Sequence, residues 1–557
     1  MKAVLVGPIQ QENLALGYLA SYARSKGHDV SIVAYAYRKD LDDTVKRVLD
    51  EQPDLVGLGI AFQNNIDDYV LLMRALRARG YQGHLTCGGH VGTFCWEELL
   101  HEVPELDSVV RHDGEETLVE MLDAIGRGER PRSIAGLVWR EKGEEAERQG
   151  QAEQAERFVK GPVRVASGNL DALPWPERSP EPYVVGGLTV DFLITARGCV
   201  GECSYCSIAA YTSEQRRSYR LRAPEAVAEE IAFAYHERGA RVFFVQDDLF
   251  VLPGERPAVA RMQRIKESIR ERGVGDDVVF WIKGRPENIT PGVAHAAREM
   301  GAIHMFLGVE NASAKRLKYL GRTHLPIHND SAIDNCRAAD IVPSFNFMLF
   351  DPDCTLDDVA TTLDMADRNP DLPWNVCRTE IYSGTALRQK LSGEGRLEGD
   401  WRSWGYRMND ARAEVMFRIL RVSLNERALA IDSLLNRLIS LSFARQLHAH
   451  FMPSETTTAI DRAVTELGIE VRRDTVARLR EIHALVAGGA FDDPRAIQRF
   501  AVEQGLAIGA HDMPLRARTE ALWDHLHARG RLYSTRRGLT PVRGRAVRGG
   551  FEVAAGS

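Results

Sequence analysis

The sequence is poor in cysteine, in long apolar runs and in net charge, and each shortage excludes a class of protein. Only 8 of the 557 residues are cysteine, too few for a disulfide-rich secreted framework. An uninterrupted apolar segment of about 18 residues, as a membrane span requires, is absent. The N-terminus lacks the features of a signal peptide. The formal net charge of -7 gives no nucleic-acid footprint. We therefore expect a cytoplasmic protein without membrane or nucleic-acid partners.

Residues 1–135 alternate strand-like and helix-like segments. Apolar runs such as KAVLVGP, DVSIVAYA, DLVGLGIAF and HLTCGGH precede stretches of helical spacing that end in glycine or proline. This repetition predicts a doubly wound, Rossmann-like parallel sheet, which binds ligands at the carboxyl ends of its strands. Those ends carry Gln63 and Asn64 after the third strand, and Gly88, Gly89 and His90 after the fourth. The first turn lacks GxGxxG, which argues against a dinucleotide.

The remaining residues predict three further regions of an α/β protein. Residues 136–185 read as a polar excursion followed by a proline-rich linker. Residues 186–390 contain six strand-like runs separated by helical stretches, which predict a partial (β/α)6 barrel with its chemistry at the carboxyl ends of the strands. Residues 391–535 are mainly helical and are expected to cap the barrel mouth and line the substrate pocket. Residues 536–557 are predicted to be a flexible tail.

Three of the eight cysteines lie close together in RGCVGECSYCSIAAYT, directly after the first barrel strand. Cys199, Cys203 and Cys206 are separated by three residues and then by two. A structural zinc site needs four ligands, and the nearest downstream histidine, His236, is far along the chain. Three thiolates can hold three irons of a four-iron cluster and leave the fourth iron open to a small chelating ligand. The residues therefore favour an iron–sulfur cluster over zinc or coincidence.

The CxxxCxxC spacing resembles the signature of the radical S-adenosylmethionine (SAM) superfamily. The resemblance implies a [4Fe-4S] cluster on Cys199, Cys203 and Cys206, with SAM chelating the open iron. It further implies SAM contacts from aromatic and polar residues at the strand ends, namely Tyr205, Gln246, Asp247, Lys283, Arg285 and Glu310. For Gln246 and Asp247, helix capping and loop solvation remain an alternative.

A doubly wound domain ahead of such a barrel resembles the cobalamin-binding radical SAM enzymes. DLVGLGIAF and LTCGGHVGT are similar to the small-residue strand ends that admit the cobalamin tail, including Gly88 and Gly89. VVRHDGEETL, with Gly114 and Glu115, is similar to the closing turn of that domain, and LPWPER to the linker. The loop GPIQQENLALG lacks the cobalt-binding histidine of many cobalamin domains. We therefore expect no protein imidazole on cobalt and consider Gln63 or Asn64 for that position. A vestigial domain that binds nothing is the alternative.

The resemblance implies a cobalamin-dependent radical SAM C-methyltransferase with a small-molecule substrate, in secondary metabolism such as antibiotic biosynthesis, and an electron donor of flavodoxin or ferredoxin type. The alternatives are methylation of an sp2 carbon such as indole without radical formation, methylation at phosphorus, ring closure or contraction, and a non-catalytic sensor. Candidate substrate contacts are Trp401, Trp404 and Tyr382, with core packing as the alternative for the tryptophans. The sequence identifies no general base.

Overall fold

The computed structural model describes residues 1–9, 11–129, 133–141, 157–215, 219–491, 493–536 and 545–546. The first sheet has seven strands in the order β2-β1-β3-β4-β5-β6-β7. Its strands are β1 (Lys2–Gly7), β2 (Asp29–Ala34), β3 (Leu55–Gly59), β4 (His84–Gly88), β5 (Ser108–Val110), β6 (Leu137–Glu141) and β7 (Arg157–Lys160). Strands β1 to β5 pair in parallel, so the predicted doubly wound sheet is confirmed. Strands β2 and β3 flank β1 on opposite sides, which creates a crevice at the carboxyl ends.

Six helices cover this sheet, and its strands are buried on both faces. The helices are α1 (Leu14–Ser25), α2 (Leu41–Asp50), α3 (Ile66–Ala78), α4 (Gly89–Phe94), α5 (Trp96–Glu102) and α6 (Glu115–Gly126). Val4 and Val6 belong to one apolar cluster, whereas Ala3 and Leu5 belong to another. The side chains on each face of β1 thus enter a different apolar core. This is why a continuous apolar run such as AVLV forms a central parallel strand.

The predicted polar excursion contributes strands to the first sheet. β6 pairs with β5 and β7 pairs with β6, both antiparallel, so these segments form an extension at the sheet edge. Residues 142–156, on which most of the predicted polar bias falls, lie outside the described residues.

The second sheet is the predicted partial barrel. Strands β9, β12, β13, β14, β15 and β16 lie side by side in chain order and pair in parallel. β8 and the short β19 extend the β9 edge. The strands of this part of the chain are β8 (Tyr183–Val185), β9 (Leu188–Leu193), β10 (Ala196–Gly198), β11 (Tyr219–Leu221), β12 (Val242–Val245), β13 (Val279–Gly284), β14 (Ala302–Leu307), β15 (Val342–Phe350), β16 (Trp374–Arg378), β17 (Leu397–Asp400), β18 (Ser403–Tyr406) and β19 (Arg545–Ala546).

Helices connect the barrel strands and form the C-terminal region. In the barrel region they are α7 (Ser207–Glu214), α8 (Pro224–Arg238), α9 (Glu255–Glu271), α10 (Pro291–Met300), α11 (Ala314–Tyr319), α12 (Pro326–Ala338), α13 (Leu356–Arg368) and α14 (Ala386–Gly393). The C-terminal helices are α15 (Ala411–Ser423), α16 (Leu434–Phe451), α17 (Glu455–Ala487) and α18 (Pro494–Arg536). The fold is therefore α/β with a helical C-terminal region, as predicted. No described helix combines the length and the apolar character of a membrane span.

The C-terminal helix α16 has a different position from the expected one at the barrel mouth. Phe443 packs against one ring from each of three neighbouring barrel strands, those of Phe244, Trp281 and His304. His448 Nε2 lies 2.9 Å from the carbonyl oxygen of Gly186, in the turn that precedes β9. The helix thus fills the concave face of the sheet from the amino ends of the strands, because its apolar residues complete the barrel core there. Of the predicted flexible tail, only residues 536 and 545–546 are described.

Candidate active site

The three cysteines of the CxxxCxxC segment lie in the loop between β10 and α7. All eight cysteines of the chain are free thiols. The amide of Gly201 donates to Cys199 Sγ at 3.3 Å. Cys206 precedes the first turn of α7, whose amides approach its thiol. Burial raises the pKa of Cys206 to about 12, and a bound iron reverses this preference because a coordinating thiol is deprotonated outright.

Two arginines approach the central cysteine of the loop. Arg322 Nη1 lies 3.4 Å from Cys203 Sγ, and Arg285 Nη1 lies 3.9 Å from the same sulfur. The Arg322 guanidinium also approaches Glu310 Oε1 at 3.7 Å. Both guanidinium groups therefore lie close to the Cys203 sulfur. The sequence analysis missed Arg322 because it lies on the loop after α11, away from any strand end.

A glycine holds the Arg322 loop against the cysteine loop. Gly321 has φ +72°, and a Cβ there would lie 2.9 Å from the backbone of Glu202 and of Ser204. The amide of Ser204 donates to the carbonyl of Leu320 at 2.9 Å. Only glycine allows both the left-handed conformation and this close approach.

The arrangement of the thiols fits a cluster rather than a single ion. In the described part of the chain, no three His, Cys, Asp or Glu side chains converge closely enough to hold one metal ion. A four-iron cluster places each thiolate on a separate iron, so its ligands stand further apart. Three free thiols with cations beside them fit such a cluster with one open iron.

Tyr205 and Glu310 contact each other beside the cysteine loop. Tyr205 is 6 % exposed, and its side chain lies close enough to the Glu310 carboxylate to influence the pKa of that group. Burial raises the pKa of Glu310, and Arg322 opposes the shift. Glu310 has φ +62°, a conformation that is strained for a residue with a side chain. The SAM contacts predicted for both residues remain predictions.

The end of β12 places three polar residues on two different faces. Gln246 and Asp248 line a cavity at the carboxyl ends of the strands. Asp247 points to the other face, where Oδ1 accepts from the Thr195 amide at 2.6 Å. Asp247 is 1 % exposed, and burial raises its pKa to about 6. The predicted SAM contact at Asp247 thus lies away from the cavity, and strand alternation makes Asp248 the better candidate.

Lys283, on β13, and Arg285, directly after it, have different surroundings. Arg285 is held by Glu287 Oε1 at 2.7 Å and by the Thr323 hydroxyl at 3.1 Å, beside the cysteine loop. Lys283 remains on β13 opposite Phe306 of β14. The two cations predicted to contact SAM therefore lie in different surroundings.

A cavity of about 450 Å³ lies between the first sheet and the barrel. From the first sheet it is lined by Gly57, Gly59, Gly88, Gly89, His90, Gly114 and Glu115, among others. From the barrel it is lined by Gly198, Ser207, Tyr211, Gln246, Asp248 and Tyr382, among others. Gly198 and Ser207 immediately flank the cysteine segment. The cavity thus joins the strand ends of the first domain to the surroundings of the predicted cluster.

Glycines keep this cavity open at the first sheet. A Cβ at Gly57 would lie 2.9 Å from Leu5 Cδ2, and one at Gly59 would lie 3.2 Å from Leu16 Cδ2. Gly89 has φ +91°, and a Cβ there would lie 2.6 Å from the carbonyl oxygen of Ile60. These strand ends form the kind of cradle that a cobalamin tail requires, because added side chains would fill it.

Glu115, at the start of α6, contributes to the contact between the domains. Its Oε1 lies 2.7 Å from Arg197 Nη1 of β10, and Gly114 directly precedes it. A second ion pair joins Asp113 Oδ2 to Arg220 Nη1 at 2.7 Å. The closing turn of the first domain is therefore bound to the barrel at the rim of the cavity.

The candidates for the position beneath cobalt differ in location. Gln63 lines the cavity, but its Nε2 donates to the Trp401 carbonyl at 2.7 Å and its Oε1 accepts from the Ser383 amide at 3.2 Å. Asn64 is exposed and lies outside the cavity lining. Two histidines line the cavity, His90 and His112. The expectation of no protein imidazole on cobalt remains a prediction.

Both cavity histidines contact helix α7. His90 Nδ1 lies 3.3 Å from Ser207 Oγ, and His112 Nε2 lies 3.1 Å from Glu214 Oε2. Burial lowers the pKa of His90 to about 4. The first domain therefore contacts both ends of the helix that follows Cys206.

Of the three aromatic residues predicted to contact the substrate, the structure places one in the cavity and two outside its lining. Tyr382 lines the cavity. Trp401 and Trp404 lie at the β17–β18 hairpin. Trp401 is 4 % exposed and donates to Glu102 Oε1 at 2.7 Å, whereas Trp404 donates to Ser383 Oγ at 2.9 Å. Both tryptophans therefore pack between the domains, outside the cavity lining.

Two family models match the chain. The B12 binding domain matches residues 5–122, and the Radical SAM superfamily matches residues 193–366. An uncharacterized methyltransferase of Pyrococcus horikoshii is 28 % identical over 64 % of this chain and 73 % of the relative. The hopanoid C-3 methylase of Methylococcus capsulatus is 26 % identical over 62 % of each chain. The anaerobic magnesium-protoporphyrin IX monomethyl ester cyclase of Cereibacter sphaeroides is 29 % identical, but the match spans 45 % of that enzyme.

Solved structures share the fold. The cobalamin-dependent S-adenosylmethionine radical enzyme OxsB, with aqua-cobalamin and S-adenosylmethionine bound, aligns with TM-score 0.61 and 16 % identity over 92 % of this chain and 84 % of that chain. The radical S-adenosylmethionine methyltransferase TsrM from Kitasatospora setae, with cobalamin and a [4Fe-4S] cluster, aligns with TM-score 0.56 and 16 % identity over 71 % of this chain and 75 % of that chain.

These features define an enzyme in which a B12 domain faces a radical SAM barrel across a shared cavity. The chain belongs to the cobalamin-binding radical SAM enzymes, in the group that contains the cobalamin-dependent radical SAM methyltransferases. The predicted cofactors, a [4Fe-4S] cluster, SAM and cobalamin, are confirmed for this family.

Proposed function

We propose that the enzyme transfers a methyl group from SAM, by way of cobalamin, to a carbon atom of a small secondary metabolite. The observation that supports this proposal is that one cavity is lined both by the glycine-rich ends of the first sheet and by the residues that flank the cysteine loop. A substrate there can reach both cofactors. The bound cofactors supply the methyl group and the radical chemistry, while the protein orients them and excludes water.

The proposed roles of the chain's own residues follow their locations. Cys199, Cys203 and Cys206 hold the cluster, and the Arg322 guanidinium, 3.4 Å from Cys203 Sγ, provides positive charge for the SAM carboxylate. Tyr205 and Glu310 bind the nucleoside part of SAM, since they lie together beside the loop. An electron donor of flavodoxin or ferredoxin type is proposed to reduce the cluster.

The test is incubation of the reconstituted holoenzyme with methyl-labelled SAM, a low-potential reductant and a panel of candidate metabolites. The proposal expects S-adenosylhomocysteine together with a product heavier by one labelled methylene unit, and attachment of the label at carbon. Production of 5′-deoxyadenosine without S-adenosylhomocysteine would instead indicate ring formation, the activity named for the cyclase relative. A product that carries the label on phosphorus would also contradict the proposal.

A further inference from the structure

The concave face of the barrel sheet has a lower layer of aromatic rings and an upper layer with polar side chains. The lower layer consists of rings that pack on Phe443 of α16, at centroid distances of 5.2, 5.3 and 5.5 Å, namely Phe244, Trp281 and His304. Strand alternation returns to the same face two residues further along. There β12 carries Gln246 and β13 carries Lys283, whose register partner on β14 is Phe306. The polar layer faces the carboxyl ends, where Gln246 lines the cavity between the domains.

The ammonium group of Lys283 has neither a hydrogen bond nor an ion pair with any residue that the structure describes. The nearest charges that act on it belong to Asp248 and Asp247. Both carboxylates have donors of their own, because Asp248 Oδ2 accepts from the Gly198 amide at 3.1 Å and Asp247 accepts from Thr195. Burial lowers the pKa of Lys283, and Asp248 opposes the shift.

A partly buried cation without an acceptor is costly, because the protein replaces its hydration incompletely. A ligand anion at this position would restore the missing interaction. A second polar atom of the same barrel lacks a partner, since Asn346 Oδ1 of β15 is buried without a hydrogen bond. Asn346 lies two residues after Ser344, which pairs with Phe306 and contacts His304 of the lower layer. Unused polar groups thus occur on this face of both β13 and β15.

The anion is not expected to be the carboxylate of SAM. In the proposed function, the methionine part of SAM would bind at the cluster that Cys199, Cys203 and Cys206 would hold. That location already has two guanidinium groups, those of Arg322 and Arg285, within 3.4 and 3.9 Å of Cys203 Sγ. Lys283 has no such contact with the loop and lies instead beside Asp248, in the layer of Gln246.

We propose that Lys283 binds an anionic group of the substrate, a carboxylate or a phosphate, and so selects acidic small molecules. The proposal rests on the proposed function, in that it assumes a small-molecule substrate in the shared cavity. Lys283 would hold the anion in the barrel, and the rest of the substrate would extend past Gln246 into the cavity. A neutral metabolite of the same shape would leave the lysine without an acceptor and bind more weakly.

The test measures binding without turnover, so its result is independent of the methyl-transfer assay. Anaerobically reconstituted holoenzyme is titrated calorimetrically with SAM. The SAM-saturated protein is then titrated with inorganic phosphate and, separately, with acetate. The variants are Lys283→Met, which removes the charge at nearly constant length, and Lys283→Arg, which keeps it. Lys266→Met is the matched control, because Lys266 is a largely buried lysine on the outer helix α9, paired with Asp276.

We expect wild type to bind at least one of the two anions, and the stronger one identifies the substrate as a phosphate or a carboxylate. Lys283→Met should weaken that binding by about tenfold or more, as expected for the loss of a charged partner. Lys283→Arg and Lys266→Met should retain it, and all three variants should bind SAM as wild type does. If Lys283→Met does not retain its cluster, Lys283→Gln replaces it. Loss of SAM binding in the Lys283 variants with anion binding intact would overturn the proposal, as would wild type that binds neither anion.

Discussion

At the scale of single residues, the surroundings of Cys203 depend on two arginines and on two glycines that leave room for them. Cys203 lies between two guanidinium groups, and Gly201 leaves room for one of them, since a Cβ there would lie 2.1 Å from Arg285 Nη1. Gly321 lets the Arg322 loop approach the backbone on either side of Cys203. The chemistry therefore depends on glycines as much as on the thiols.

Cys203→Ala should abolish the iron content and the brown absorption of the anaerobically reconstituted protein, because two thiolates cannot hold a four-iron cluster with one open iron. Cys336→Ala is the matched control: that cysteine is fully buried and contacts Met305 Sδ at 3.9 Å in the barrel core. It should lose some stability and keep its iron. Iron assay and visible absorption provide the measurement, and full iron in Cys203→Ala would refute the assignment.

Gly88→Leu should prevent cobalamin binding while the iron content stays at the wild-type level. Gly88 has extended backbone angles, and a Cβ there would lie 3.4 Å from the Val110 carbonyl, so the strand tolerates a side chain that then enters the cavity. Gly393→Leu is the control, since nothing lies within 4 Å of a Cβ at that position. The measurement is the bound hydroxocobalamin per chain after gel filtration. Equimolar binding by Gly88→Leu would show that the tail does not pass this glycine.

At the scale of secondary-structure elements, polar contacts fix α16 inside the barrel. His304 of β14 contacts Ser344 Oγ of β15 through Nε2 at 2.7 Å and Gln446 Oε1 of α16 through Nδ1 at 3.2 Å. Burial lowers the pKa of His304 to about 3, so the imidazole is neutral in the folded protein. The three elements therefore depend on a histidine that must remain uncharged.

This histidine should make the barrel less stable in acid. Its pKa is about 3 when folded and about 6.5 when unfolded. Between these values the unfolded chain binds more protons, so the stability present above pH 6.5 decreases as the pH falls. From pH 7 to 5 the contribution is about 2 kcal/mol. His304→Gln keeps hydrogen-bonding groups but does not titrate, so its thermal midpoint should fall less over this range, by about 2–4 °C.

The measurement is thermal unfolding at pH 7 and at pH 5 for wild type, His304→Gln and the exposed control His101→Gln. The control should show the wild-type pH dependence. An equal loss of midpoint temperature in His304→Gln and wild type would mean that His304 does not contribute to the acid sensitivity.

At the scale of the whole molecule, ion pairs at the cavity rim join the first domain to the barrel. Arg197 of β10 contacts Glu115 and places its guanidinium over the ring of Tyr18 of α1, 4.9 Å from the centroid. On the other side, Glu214 of α7 contacts both Arg111 and His112. In the proposed function the cofactors of both domains act on one substrate, so the relative position of the domains is part of the proposed active site.

Arg197→Met should loosen this contact, because it leaves a largely buried Glu115 carboxylate without its partner, at a cost of about 3 kcal/mol. Limited proteolysis should then cleave the segment between the two sheets, residues 162–182, faster than in wild type. Arg127→Met, which removes an exposed ion pair with Glu129, should leave the rate unchanged. Equal cleavage rates for Arg197→Met and wild type would show that this ion pair does not hold the domains together.

The sequence by itself determined the two parallel sheets, the cysteine loop and both cofactor classes. These depend on local patterns: apolar runs that alternate with helical spacing, glycines at strand ends, and thiols at fixed separation. Gln246 and Asp247 show the limit of such patterns, since a strand sends neighbouring side chains to opposite faces and Asp248, not Asp247, reaches the cavity.

The tertiary structure alone decided the rest. Arg322 reaches Cys203 across 119 residues, α16 enters the barrel from the amino ends, and Trp401 and Trp404 pack between the domains. Lys283 and Arg285 are only two residues apart, yet they face different surroundings, because Arg285 is bound by Glu287 and Thr323. Contacts between residues so far apart in sequence are selected by the packing of whole elements, and burial then determines which polar groups keep a partner. Such contacts leave no repeating pattern in the amino-acid sequence from which they could be predicted.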